Sequence, residues 1–330
     1  MIIAAGFQPV RLQAEANEME LADSYISSNF CHYIKHILDS GLQGSYEDIQ
    51  GVILINSCDG MRRLNDLWRY YLKTPFVFFL ELPRKKDSAG VEYFSKCLFS
   101  LKSGLEEHFN TEISDKKLNS AISLMNDQRQ KILELLNKQK ENPPPYSGKE
   151  IQMLCREESI YPKESTDSRL RELISGMPDR KYRPNNHPRI LVTGNTGQKP
   201  ILVQLIEQSG ADVVAFDSCE GLQHYSNPVK QGLEPMLALA ERYLLKPSCA
   251  RMPGYVDRID RLQQLVADFA ANGVIYSALK FCDNALFEIP QIERRFKETG
   301  IPFLSLENDY SWVDMERVRI RIEAFIEMIT

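Results

Sequence analysis

Short, continuous apolar runs alternate along the chain with stretches of helical period. In the first part the runs are "PVRL" (9–12), "GVILINS" (51–57) and "PFVFFLEL" (75–82). Each is bounded by Gly, Pro or charge, as strands covered on both faces tend to be. Between them "NFCHYIKHILDS" and "GMRRLNDLWRYYL" predict helices. From about Val91 to Asn142 the pattern stays helical, with Ile122, Met125, Ile132, Leu135 and Leu136 at roughly helical spacing. "NPPPYSG" (142–148) stops that helix and reads as a stiff linker.

A polar stretch, "PDRKYRPNNHP" (178–188), precedes a second alternation. Strand "RILVTG" is followed by helix "QKPILVQLIEQSG", closed by Gly210, and by strand "ADVVAFDS". After a long helical region come strand "GVIYSALKF", helix "EIPQIERRFKETG", strand "IPFLSLEND" and a last helix, "MERVRIRIEAFIEMI". Strand–helix–strand order with short connections predicts right-handed parallel α/β units. The expected architecture is two α/β domains: residues 1–145 with a long helical extension, and 146–330 beginning with a helical linker.

Composition narrows the picture. A chain of 330 residues exceeds what one core usually organises, in line with two domains. With 43% apolar residues, 26% charged and a formal charge of −5, nothing points to nucleic-acid binding, which concentrates Lys and Arg on one face. No apolar run approaches the roughly 20 residues that span a bilayer. The start, "MIIAAGFQPVRLQ", lacks the basic and apolar parts of a signal peptide, so a cytoplasmic location is expected. The seven cysteines (Cys31, Cys58, Cys97, Cys155, Cys219, Cys249 and Cys282) include no CxxC pair. In a reducing compartment such thiols are buried, reactive or metal-bound rather than paired.

Three strand tips resemble one another: "VILINSCDG", "VVAFDSCEG" and "IYSALKFCDN". Each runs from an apolar strand into Cys, an acid, and then Gly or Asn, which permits a tight turn. Residues just past the carboxyl ends of parallel strands face the ligand crevice. A helix N-terminus beside them favours thiolate, the metal-binding form. A lone cysteine at a strand end is ordinarily a small hydrophobe; the threefold Cys-acid pattern outweighs that reading for Cys58, Cys219 and Cys282. Cys31 also opens a helix. Cys97, Cys155 and Cys249 have no such context, and burial or a surface place is their default. All-thiolate ligation suits zinc or an iron–sulfur cluster. The missing close pairs favour the cluster without excluding zinc.

The same segments carry a family resemblance over nearly the whole chain. "AAGFQPVRL", "SSNFCHYIKHIL", "INSCDGMRRLNDLW", "NDQRQKILELL" before "PPPYSG", "RILVTG" and "DSCEG" occur in order. They are followed by "GVIYSALKFCDNALFEIPQIERRFKETGIPFLSLENDYS", the most specific stretch, and by "RIEAFIEMI". In these the chain resembles the iron–sulfur subunits of 2-hydroxyacyl-CoA dehydratases and benzoyl-CoA reductases. The resemblance implies two flavodoxin-like parallel-sheet domains joined by long helices, with a [4Fe–4S] cluster in the inter-domain cleft. It implies Cys31, Cys58 and Cys282 as ligands, and Cys219 as a supporting neighbour or alternate ligand. The chemistry implied is transfer of one low-potential electron to an acyl-CoA thioester, whose ketyl radical can expel a neighbouring hydroxyl. The implied partners are a homologous second subunit (heterodimer, or a homodimer), an acyl-CoA substrate and a separate ATP-dependent iron–sulfur activator. This sequence has no Walker A loop of its own.

Supporting residues follow. Ser57 and Ser218 could donate hydrogen bonds to cluster sulfurs or to the thioester oxygen. Glu307 and Asp309 could be acid–base groups or caps, as could Asp59, Glu220 and Asp283. Lys280, Arg62 and Arg63 could meet a CoA phosphate, the activator or surface carboxylates. Gln223 with His224, and Ile320, stand where the family usually has arginine and threonine, which implies a changed acyl-CoA pocket or an electron-relay subunit. Two alternatives stay open: a double-cubane-type reductase, needing about twice the thiols, and a non-catalytic electron-relay or cluster-binding subunit.

Overall fold

The computed structural model describes residues 1–13, 19–161, 163–176, 187–195, 200–309 and 314–330. Most of the polar stretch expected over 178–188 lies outside them. The chain is mixed α/β with parallel sheets. It divides into two compact units, both discontinuous in sequence. The first is Met1–Asp127 with Asn227–Lys246 and Arg251–Pro253; the second is Gln128–Ser226 with Pro247–Ala250 and Gly254–Thr330.

In the first unit β1 (Gly51–Ile55) pairs in parallel with β2 (Phe76–Leu80). A parallel pair needs a crossover, supplied by α2 (Asp59–Tyr71); α1 (His32–Leu42) precedes β1. The expected strand "PVRL" is not one: residues 7–13 adopt no regular structure. Pro9 has no N–H for a ladder and Val10 is 50% exposed, which suits an irregular segment better than a strand covered on both faces. The long helical stretch is two helices, α3 (Ser88–Phe109) and α4 (Asp115–Lys138). Asn110 separates them with φ 47, a left-handed conformation that asparagine tolerates better than most residues.

Val91, Phe94, Leu98, Leu101 and Leu105 recur at alternating steps of three and four, so one stripe of α3 is buried. Met236, Ala240 and Leu244 of α9 (Pro235–Leu245) belong to the same core, as do Leu118 and Ile122 of α4. The Asn126 side chain fastens the start of the return segment to α4. Asn126 Nδ2 donates to the Val229 carbonyl at 2.8 Å, and Asn126 Oδ1 accepts the Val229 N–H at 2.9 Å. Val229 is buried. Asn126→Leu should therefore cost about 2–3 kcal/mol, since it strands two buried backbone groups; the urea midpoint measures this.

The second unit holds α5 (Gly148–Ile160), α6 (Lys163–Gly176), β3 (Arg189–Gly194), α7 (Ile201–Gln208), β4 (Asp212–Asp217) and the short α8 (Leu222–Tyr225). It continues with α10 (Tyr255–Asp268), β5 (Gly273–Leu279), α11 (Asp283–Thr299), β6 (Phe303–Asn308) and α12 (Met315–Ile329). The sheet order is β4-β3-β5-β6, all parallel. Every residue of β4 and β5 is buried, including the apolar runs 213–216 and 274–276 that mark strands covered on both faces. The winding direction reverses between β3 and β5, and open α/β sheets bind ligands at the carboxyl end of such a switch point.

"NPPPYSG" is a packed turn rather than an exposed linker. Residues 144–148 are buried. The Gln139 side chain donates to the Tyr146 carbonyl and accepts its N–H, while Tyr146 Oη donates to the Leu173 carbonyl. Ser147 and Glu150 then form a capping box that starts α5. Among the described residues no helix is long and apolar enough to cross a membrane.

Candidate functional site

Three of the singled-out cysteines occupy one kind of position. Cys31 is the N-cap of α1, Cys58 of α2 and Cys282 of α11. Each cysteine stands at the N-cap without a side-chain capping hydrogen bond, and Asp59 and Asp283 fall in the first turn, where a carboxylate complements the helix dipole. The residue after each acid is inside the helix rather than in a turn. Gly60 is there for packing: a Cβ on it would lie 3.1 Å from Ile34 Cγ1, 3.6 Å from Phe30 Cε1 and 3.7 Å from Cys58 Sγ. Phe30 and Ile34 flank Cys31, so the first turns of α1 and α2 meet in the first unit, each opened by a cysteine.

Cys219 departs from the equivalence read in the sequence. It lies between β4 and α8, whose N-cap is Gly221, so this thiol caps no helix. A Cβ on Gly221 would collide with the Phe216 carbonyl, which shows how tightly the chain folds back after β4. β4 is also an edge strand, separated from β5 by β3.

The tip of β1 is pinned from several sides. Arg84 Nη2 donates to the Ser57 carbonyl at 2.8 Å, and Arg84 Nη1 donates to the Arg251 carbonyl. Asn56 donates from its N–H to the Leu80 carbonyl at 2.9 Å and from Nδ2 to Glu81 Oε2 at 2.6 Å. Its Oδ1 accepts from Arg62 Nε at 2.8 Å, so Arg62 braces the tip. Arg63 pairs with Asp66 at 2.9 Å and Lys280 with Asp309 at 3.7 Å. In the second unit Ser218 is buried, and its Oγ accepts the Glu220 N–H at 3.3 Å. Glu307 is exposed on β6, in register with Ala278. Gln223 is buried and donates to the carbonyl and to Oδ2 of Asp217, both at 3.0 Å.

The switch point brings Cys282 to a polar group that the sequence reading missed. Asn195, one residue past β3, donates from Nδ2 to Cys282 Sγ at 3.1 Å. Phe281, just before the cysteine, has φ 60, a left-handed conformation uncommon for a bulky residue. Deeper in the unit Tyr276, Glu288 and Arg258 form a buried polar group: Tyr276 Oη donates to Glu288 Oε1, and Arg258 Nε donates to the same oxygen at 2.9 Å. Burial first, and then the Glu288 charge, hold the Tyr276 hydroxyl protonated.

No cysteine among the described residues is in a disulfide. Cys155 is buried, and burial holds its thiol protonated; burial likewise raises Cys97, assisted by Glu81. Among the described residues no group of three or more His, Cys, Asp or Glu side chains is assembled as a metal site. The donor chemistry within each unit nonetheless suits thiolate ligation. The first unit offers two cysteines at touching helix N-termini, and the second a cysteine that receives a side-chain N–H.

Comparison with known proteins covers the same length. A family model described as "2-hydroxyglutaryl-CoA dehydratase, D-component" matches residues 1–329. A benzoyl-CoA reductase subunit of Thauera aromatica is 24% identical over 100% of this chain and 87% of its own length. The (R)-phenyllactyl-CoA dehydratase beta subunit of Clostridium sporogenes is 21% identical over 100% and 88%. The putative dehydratase subunit YjiM of Escherichia coli (strain K12) is 28% identical over 99% and 88%.

Proposed function

The chain belongs to the 2-hydroxyglutaryl-CoA dehydratase D-component family, and from that premise we propose that it is the [4Fe–4S] subunit of an ATP-activated acyl-CoA dehydratase or reductase. The observation that carries this reading is the placing of Cys31, Cys58 and Cys282 as the N-caps of three helices. Similarity to single subunits of a dehydratase and a reductase supports a role beside a second subunit.

Cys31, Cys58 and Cys282 would hold the cluster, with Cys219 as a neighbour or alternate ligand. When bound, the cluster would supply a low-potential electron to an acyl-CoA thioester. The chain's own part is to hold thiolates at positive helix ends, which lowers the cost of their charge. The ties from Arg84 and Asn56 keep the Cys58 tip rigid. Ser57 and Ser218 are candidates for hydrogen bonds to sulfur or to the thioester oxygen, and Glu307, exposed beyond β5, for proton transfer. ATP hydrolysis is assigned to a separate activator.

Anaerobic purification followed by iron and sulfide analysis tests the reading. About four of each per chain are expected, with absorption near roughly 400 nm. With the second subunit present, an acyl-CoA should change that spectrum. Zinc in place of iron would sink the cluster assignment; about eight irons would point to the linked-cluster reductase instead. Iron without any response to acyl-CoA would leave a relay or cluster-binding subunit.

A further inference from the structure

Resting on the cluster reading above, we infer that Asn195 is a positioning residue for Cys282 whose side-chain N–H···S hydrogen bond raises the reduction potential of the cluster that this sulfur would hold. The contact is 3.1 Å long and joins residues 87 apart in sequence. It sits at the carboxyl ends of β3 and β5, where the sheet reverses its winding.

Asn195 is held from three strands. Gly194 turns the chain with φ 89, and a Cβ there would collide with the Ser277 carbonyl. That carbonyl accepts the Asn195 N–H at 2.7 Å. In return Ser277 Oγ donates to the Asn195 carbonyl at 3.1 Å, and Asn308 Nδ2, from the end of β6, donates to Ser277 Oγ at 2.8 Å. Two ties to the Asn195 backbone and one relay from β6 thus fix the main chain that carries the carboxamide, and its Nδ2 reaches Sγ.

A metal-bound thiolate can only accept, so the NH2 end of the carboxamide is the end that must face it. An N–H on a ligand sulfur draws charge from it and stabilises the reduced, more negative state; hydrogen bonds to the sulfurs are among the determinants of cluster potential. Hydrogen bonds to charged groups are also stronger than neutral ones.

The test compares anaerobically purified full-length wild type, Asn195→Leu and Asn195→His. Iron content and a dye-mediated redox titration followed by absorbance are read together. Leucine keeps the approximate shape and removes the donor; histidine restores an N–H. The leucine variant should titrate at a more negative potential, with a reduced-to-oxidised ratio on the order of tenfold lower at fixed potential. Histidine should recover most of that change. Iron loss in the leucine variant that histidine prevents also supports the assignment. An unchanged potential in a fully loaded leucine variant overturns it, as does iron loss common to both. A wild type without iron overturns instead the cluster reading, and this inference falls with it.

Discussion

Cys58→Ser and Cys282→Ser, purified without oxygen, should each retain almost none of the wild-type iron and lose the absorption near roughly 400 nm. Removing an outer partner of a metal ligand already costs about 10–100-fold in affinity, so losing a ligand should exceed that. Cys31→Ser should behave the same way, because Cys31 opens the helix that packs on the start of α2. Cys219→Ser should keep most of its iron, since that thiol caps no helix. Cys155→Ser is the stricter control: its buried thiol is held protonated. Far-UV circular dichroism separates loss of metal from loss of fold. Wild-type iron in both Cys58→Ser and Cys282→Ser would remove the proposed ligand set.

What the sequence carried, it carried in local pattern. β4 and β5 were legible because strands buried on both faces are nearly continuously apolar, as residues 213–216 and 274–276 are. The cysteine positions were legible for a related reason: an apolar strand, then Cys-acid, then a helical period marks where α2 and α11 begin. "PVRL" failed because four residues with a proline at their head fit an irregular segment as well as a strand. Periodicity names a buried face without naming what covers it. The apolar face of α9 therefore gave no sign that Met236, Ala240 and Leu244 complete the core of the first unit. "NPPPYSG" misled in the opposite direction, since its prolines end a helix equally well in water or under Tyr146. Asn195 was invisible for the plainest reason. An asparagine after a glycine reads as a turn, and its partner sulfur lies on another strand tip. The rule that ligands gather at a switch point could have singled it out once the strand order was known.

A second large effect is expected at Arg258 and Glu288, both over nine-tenths buried. Glu288 Oε1 accepts from Arg258 Nε at 2.9 Å and from Tyr276 Oη, and Arg258 Nη1 donates to the Ser248 carbonyl at 3.0 Å. Burial by itself would weaken the Arg258 charge, but Glu288, together with Tyr276 and Asp217, more than offsets it. Glu288→Ala leaves a cation and a hydroxyl buried without their acceptor, and should cost about 3–5 kcal/mol in urea unfolding. Arg258→Met should cost as much near neutral pH, but with a different pH dependence. Burial raises Glu288 above the ordinary carboxylate value of 4.5, and removing Arg258 takes away the largest influence that opposes it, leaving only the Tyr276 hydrogen bond. A carboxyl whose folded pKa is raised contributes stability that is full below its unfolded value and lost as pH rises through the folded one. The deficit of Arg258→Met should therefore shrink as pH falls toward 4.5, whereas that of Glu288→Ala should not, because arginine stays charged. Arg258→Met with Glu288→Leu leaves no unpaired charge, so the double variant should cost much less than the two singles combined. Strict additivity would mean that the pair is not coupled and that the loss comes from packing alone.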